Sequence, residues 1–266
     1  MPRFVWRSFW LVGLAGVPMA CSTPGVVKPR PPDMTELVES YGQPSGVLDR
    51  SDSPVLAAAV GVFSQLLART DLVARLREFL GELVDTVNTD PAGAGTNGFR
   101  LTVKADGYLE ATRICPGWTL PAAVDSGNGS VDLTATFSER GLDPVVWGTV
   151  AACRYRVADA SVELTPIGED DSVRVYVGQG LDSATLASQE LVFSINVNAN
   201  VDGESNDLAV DFRVLDDGAL EFLVPVSSGS LVVHDNADGS FVVRSREGSF
   251  ACAKGFDCNL EPLDGN

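Results

Sequence analysis

The chain has a single histidine, His234, no C-x-x-C pair, and only 19 basic residues against 36 acidic ones. Each shortage closes a class of function. Without clustered Cys and His ligands there is no zinc centre, which needs about three or more protein ligands. A formal net charge of −17 repels phosphate, so no nucleic-acid partner is expected, nor electrostatic docking on anionic lipid. No G-x-S-x-G elbow is present to carry a serine nucleophile, and no P-loop to cradle a triphosphate. A literal G-x-G-x-x-G does occur at Gly93, Gly95 and Gly98. It follows a helical pattern and precedes a strand, the reverse of the order that brings a helix N-terminus to a pyrophosphate. No motif implies a cofactor. Hydrophobic residues make up 45% of the chain and low-complexity runs are few, so the chain is globular.

What the sequence does have is period two. Across Glu190 to Val226 three alternating runs stand between two turn clusters. Leu191, Phe193, Ile195 and Val197 fall on one side of the first run, with Ser194, Asn196 and Asn198 on the other. Leu208, Val210, Phe212 and Val214 repeat the pattern, and Leu220, Phe222, Val224 and Val226 repeat it again. Successive strand side chains point to opposite faces, so this predicts an antiparallel meander with one buried face. Alternation recurs from Phe99 to Val103, Tyr108 to Cys115, Val131 to Phe137, Val145 to Tyr155 and Val173 to Val177, and again around Leu231, Val233, Phe241 and Val243. The unit ADGYLE at Ala105 returns as DDGALE at Asp216 and ADGSFV at Ala237, the chemistry of a turn that needs positive φ.

Two helical patterns precede the strands. The first is placed with Ser53 as N-cap and Pro54 as first helical residue, running to about Arg69. The second, from Asp71 to about Asn88, carries a broad apolar stripe of Leu72, Val73, Leu76, Phe79, Leu80, Leu83, Val84 and Val87. Arg75, Arg77, Glu78, Glu82 and Asp85 are assigned to its polar side. Mixed charge on that side favours packing on a sheet over lying on a membrane. The expected fold is therefore α+β and mainly antiparallel β. It is a curved sheet of about ten strands, half-barrel or sandwich, with two N-terminal amphipathic helices packed on it. The uneven, acidic strands, preceded by helices, argue against a transmembrane barrel.

At the N-terminus, Arg3 and Arg7 precede an apolar run from Phe9 to Ala20, too short to span a bilayer and laid out as a secretory signal. Cys21 follows directly. Pro18, Met19, Ala20 and Cys21 resemble the lipobox of a bacterial lipoprotein precursor, with Pro18 where that family prefers leucine and Met19 where it prefers a small residue. The resemblance covers the leader alone. It implies that Cys21 is lipidated and becomes the mature N-terminus, with Ser22 after it directing the protein to the outer membrane. An ordinary cleaved export signal is the competing reading. The expected division is 1–20 signal peptide, 21–53 proline-rich tether (with a short helix from Asp33), and 54–266 a single helix-plus-sheet domain.

Five cysteines are an odd set for an oxidising compartment. With Cys21 carrying lipid, Cys115, Cys153, Cys252 and Cys258 remain, with three possible pairings. Cys252 and Cys258 can close a small loop, leaving Cys115 to pair with Cys153 across strands. Three other sites are weighed. His234 beside Asp235 reads as an exposed turn histidine rather than a triad member. Asn198, Asn200, Asp202 and Gly203 open like a calcium loop, but Ala209 occupies the position of the bidentate acid. Weak calcium ligation by Asp202, Glu204 and Asp207 is the most that motif allows. Trp118 reads as core beside a disulfide rather than as the rim of a ligand site. The function expected is a lipid-anchored envelope protein of non-enzymatic binding or scaffolding type, with a hydrophobic ligand or an envelope protein as partner. A secreted hydrolase with a carboxylate site is the alternative, told apart by a wet cleft with converging acids.

Overall fold

The computed structural model describes residues 31–89, 99–104, 108–114, 130–138, 141–151, 153–157, 160–168, 172–177, 190–236, 238–261 and 263. The expected mainly antiparallel α+β fold is present as an open, curved sheet of fourteen strands with helices on its N-terminal side. In chain order the strands are β1 Phe99–Lys104, β2 Tyr108–Ile114, β3 Ser130–Ser138, β4 Gly141–Ala151, β5 Cys153–Val157, β6 Ala160–Pro166 and β7 Val173–Val177. Then come β8 Leu191–Val201, β9 Glu204–Val214, β10 Leu220–Val226, β11 Gly229–Asp235, β12 Phe241–Ser245, β13 Gly248–Ala253 and β14 Asp257–Cys258. The count exceeds ten because the alternation from Val145 to Tyr155 divides between β4 and β5, and because β6, β13 and β14 add short strands.

β8 is the trunk of the sheet. On one edge it pairs with β9 along eleven residues, from Leu191↔Val214 to Val201↔Glu204. On the other edge its first half pairs with β7 and its second half with β6, so the sheet forks there. Phe193 lies opposite Phe212, and Phe212 opposite Phe222. Their rings form a row across three strands, with centroids 5.0 and 6.3 Å apart. All three are essentially inaccessible to solvent. This is the meander predicted from period two, and the aromatic row is its cross-strand core.

β9 and β10 share only four residue pairs, Leu220↔Val214 to Leu223↔Asp211, and then part. Pro225 has no N–H to offer a ladder, and pairing stops short of it. A gap of about 530 Å³ opens between the two strands, and Ala59 and Phe63 of a helix line it.

That helix, α2, runs from Arg50 to Thr70. It begins earlier than Pro54 suggested. Asp49 is the N-cap, its carboxylate accepting from the Ser51 N–H at 2.8 Å while Asp52 accepts from the Asp49 N–H at 2.9 Å, a capping box. A π-helical turn over Ala57–Gly61 lies within it. Leu56, Val60, Leu66 and Leu67 all point into the core. Asp71, at φ 51°, turns the chain into the next helix, α3, Leu72–Thr89. Leu72, Leu76, Leu80 and Leu83 join the same core as the sheet's inner face, as the stripe predicted. Arg75, expected on the polar side, is instead buried, bridging Glu78 at 2.7 Å and Asp71 at 3.2 Å. Its long side chain reaches both carboxylates within one turn, which makes burial tolerable.

The segment expected as tether is corrected in its second half. Thr35–Gly42 form a helix, α1, started by Asp33 accepting from the Thr35 N–H. Met34 and Tyr41 are buried on the sheet's outer face against Val192 and Val232, with Leu37 and Val38 beside them. The chain then hydrogen-bonds to the β10–β11 hairpin, Gly46 N–H to Ser230 O and Val47 N–H to Ser228 Oγ, and the Gly46 carbonyl accepts from the Arg246 N–H. A Cβ on Gly46 would stand 2.9 Å from the Ser230 carbonyl oxygen, so this close pass requires glycine. The folded unit therefore includes residues 34–53. Spacing of Met34, Leu37, Val38 and Tyr41 at i, i+3, i+4 and i+7 is the helical stripe responsible. Residues 1–30, with Cys21, lie outside the described residues.

Candidate functional site

An open cleft of about 1020 Å³ lies between α2 and one end of the sheet. Its rim is built from the recurring turn units. In the β9–β10 turn the Leu215 N–H donates to Ala219 O and the Gly218 N–H to Leu215 O. In the β11–β12 turn the Asn236 N–H donates to Ser240 O and the Gly239 N–H to Asn236 O, the same pattern. Gly218 and Gly239 take φ 88° and 81°, which a side chain resists. Asp217 and Asp238 each lock their turn by accepting the backbone N–H two residues on, at 2.9 Å. For Asp238 the Ser240 hydroxyl and N–H together hold the carboxyl below its usual range. In the third copy of the unit, the turn residues Ala105, Asp106 and Gly107 lie outside the described residues.

The floor of the cleft is apolar. Leu220, Phe241 and Phe256 line it from the sheet side, and Ala57, Val62 and Ala68 from α2. Phe256 stacks on Phe241 with ring centroids 4.2 Å apart, although its φ of 61° is an uncommon setting for a bulky residue. The Cys252–Cys258 disulfide closes the loop that carries it. This bond is the small loop expected from sequence, and Cys252 lies directly opposite Cys258 in the β13–β14 ladder. The proposed partner bond of Cys115 with Cys153 lies outside the described residues, as does Trp118.

Polar side chains share the lining, and most of them are already engaged. The Ser64 hydroxyl donates to the Asp235 carboxylate in a short contact across the cleft. Lys254, Asp217 and Asn236 stand at the mouth. His234 and Asp235 are neighbours in β11, so their side chains leave opposite faces of the sheet. His234 Nδ1 lies 3.4 Å from Glu221 Oε1 on the outer face, while Asp235 meets Ser64 on the inner one. A Ser–His–Asp arrangement is therefore not assembled. His234 is half-buried in an ion network rather than exposed at a turn.

That network centres on Glu221, whose carboxylate meets Arg213 and Arg244, the latter at 2.8 Å, as well as His234. Arg213 also bridges Glu190 at 2.7 Å and lies 5.0 Å over the Tyr41 ring. Burial works to lower the Arg213 pKa, yet Glu221 and Glu190 raise it above the ordinary arginine value. Burial pushes the Tyr41 phenol well above 10.0, with Asp211 adding to the effect.

The calcium candidates do not converge. Asp202 and Gly203 are the two turn residues of a tight hairpin, at φ 54° and 90°, and the ladder resumes at Val201↔Glu204. Two residues leave no loop in which oxygens could wrap a cation. Asp202 accepts from the Ser161 N–H and Asp207 from the Asn198 amide, both at 2.8 Å. Arg69 supplies the positive charge near Asp202 and Glu204, at 3.9 and 4.0 Å. Among the described residues no group of three or more His, Cys, Asp or Glu side chains could hold a metal ion.

Nothing in the sequence marked the cleft. Its walls come from α2, two hairpin turns and the disulfide loop, far apart in the chain, and the repeated Asp-Gly units read only as hairpin turns. Compared with protein families, curated proteins and solved structures, the chain matches none.

Proposed function

We propose that the chain is an exported, lipid-anchored envelope protein of the outer membrane that binds a hydrophobic ligand without catalysis. The observation that carries this reading is the cleft with an apolar floor of Leu220, Phe241 and Phe256 between α2 and one end of the sheet. Leu56, Val60, Leu66, Leu67, Leu72 and Leu80 pack into the core beside it and leave the cleft floor uncovered. The hydrolase alternative draws on Asp217 and Asp235, which both line it. It is the weaker reading, because Ser64 already occupies the Asp235 carboxylate and His234 Nδ1 is engaged with Glu221.

A fluorescent fatty-acid probe titrated into the protein tests the ligand half. Saturable enhancement is expected, and it should be lost in Ala68→Trp, which fills the mouth from an exposed position without touching the core. Unsaturable uptake, or undiminished binding in Ala68→Trp, overturns the assignment of the cleft. Mass spectrometry of the mature N-terminus tests the anchor: a lipidated Cys21 is expected, and a chain beginning beyond it overturns that half.

A further inference from the structure

β9 is fully paired along one edge only. Asp202 and Gly203 form the two-residue turn from β8, so Val201 and Glu204 close that hairpin as a hydrogen-bonded pair. Bonding alternates along an antiparallel ladder. Glu204, Asn206, Leu208 and Val210 therefore direct their backbone groups to β8, while Ser205, Asp207, Ala209, Asp211 and Arg213 direct theirs toward β10. Arg213 and Asp211 meet Glu221 and Leu223 there. The next residue on β10 to face β9 is Pro225, which has no N–H, and the ladder ends. Ser205, Asp207 and Ala209 are left with their N–H and C=O groups turned to no strand, and all three residues are exposed. Ala209 and Pro225 both line the gap of about 530 Å³ that follows.

We propose that this free edge of β9 takes up an extended, basic segment of a partner protein by strand addition. An unpaired edge is a template for another strand: main-chain bonds hold the newcomer and its side chains select it. Charge decides the occupant. Asp207 and Asp211 share the outer face of β9, and neither has an ion-pair partner among the described residues. Around them stand uncharged Ser194, Asn196 and Asn198 of β8 and Leu223 and Pro225 of β10. Arg213, next along that face, is held by Glu190 and Glu221, and Arg69 reaches only Asp202 and Glu204 at the far end. A second copy of this chain would bring its own acids against these, and like charges opposite each other oppose pairing. Lysine or arginine at alternate positions of the incoming strand would instead stand opposite unmatched carboxylates. On the inner side the gap is lined by Phe63, Val210 and Val224, so the intervening residues should be apolar.

Hydrogen exchange of the full chain, read at single amides, tests this with a heptapeptide of alternating lysine and valine. Adding the peptide should protect the N–H groups of Ser205, Asp207 and Ala209. Protection should be lost when the peptide is N-methylated along the edge that meets β9, which keeps its charge, and when glutamate replaces its lysines. Ala209→Pro removes a donor that the fold itself leaves unused, so the protein should stay folded while the peptide binds more weakly. Asp207→Lys keeps the backbone edge intact and should shift the preference toward the glutamate peptide. Absence of protection at the three amides overturns the proposal. So does equal binding of the N-methylated peptide, which would mean attraction without pairing. Equal protection by the glutamate peptide overturns the basic partner, and protection that rises with protein concentration alone would make a second copy the occupant instead.

Discussion

The two faces of the sheet are made from the same strands, residue by alternate residue, and yet they are held in opposite ways. The inner face is a continuous apolar layer, with the Phe193–Phe212–Phe222 row sealed beneath α2 and α3. The outer face carries Glu190, Arg213, Glu221, His234 and Arg244 in one ion network, with the short α1 laid beside it. The difference teaches where stability and where orientation come from. Apolar area removed from water contributes about 25 cal/mol per Å² without regard to direction. Glu221 instead holds three partners from three strands at set angles, which fixes strand against strand more than it adds net free energy.

Substitutions on the two faces should break this contrast apart. Phe212→Ala removes the middle of the aromatic row and should cost about 3–5 kcal/mol, measured by urea denaturation. Leu80→Ala, on the buried side of α3, should cost about 2–5 kcal/mol; a loss below about 0.5 kcal/mol would mean that the helix does not hold the sheet. Glu221→Gln keeps the shape but leaves Arg213 and Arg244 without their shared carboxylate, and about 1–3 kcal/mol is expected. The smallest effect concerns Tyr41. Its pKa is raised in the folded protein, so above pH 10.0 the unfolded chain loses the phenolic proton first and stability falls as pH rises. Tyr41→Phe should remove that alkaline loss in melts taken above and below pH 10.0, and a loss that persists in the variant would place its cause elsewhere.

The inner face was legible because period two survives any detail of pairing: Leu191, Phe193 and Ile195 must share a face wherever β8 finds its partners. The outer network was not, since Glu221, His234 and Arg244 become neighbours only through the pairing of three strands. α1 is legible as a short helix from Asp33, but the prolines before it have the composition of a tether, and the stripe ending at Tyr41 is too short to show by itself that it packs on Val192 and Val232. At the start of α2, Pro54 outweighed the Asp49–Asp52 pair, whose spacing is that of a capping box with aspartate in place of glutamate. The cleft depends on the parting of distant segments, which no local pattern encodes.

The brief contact between β9 and β10 has a consequence for how the chain acquires its structure. Four residue pairs join the two sides of the sheet there, against eleven between β8 and β9 and seven between β10 and β11. β10 to β14 pair each with the next along the chain, so they close with short loops and form fast. The β8 trunk instead recruits β6 and β7 from earlier in the sequence and closes more slowly. The C-terminal strands are thus expected to open as a unit of their own, joined to the rest at a narrow seam that α2 lines with Ala59 and Phe63. Hydrogen exchange should find two protected blocks with different opening rates, and the amides of Asp211 to Val214 should exchange with the faster one.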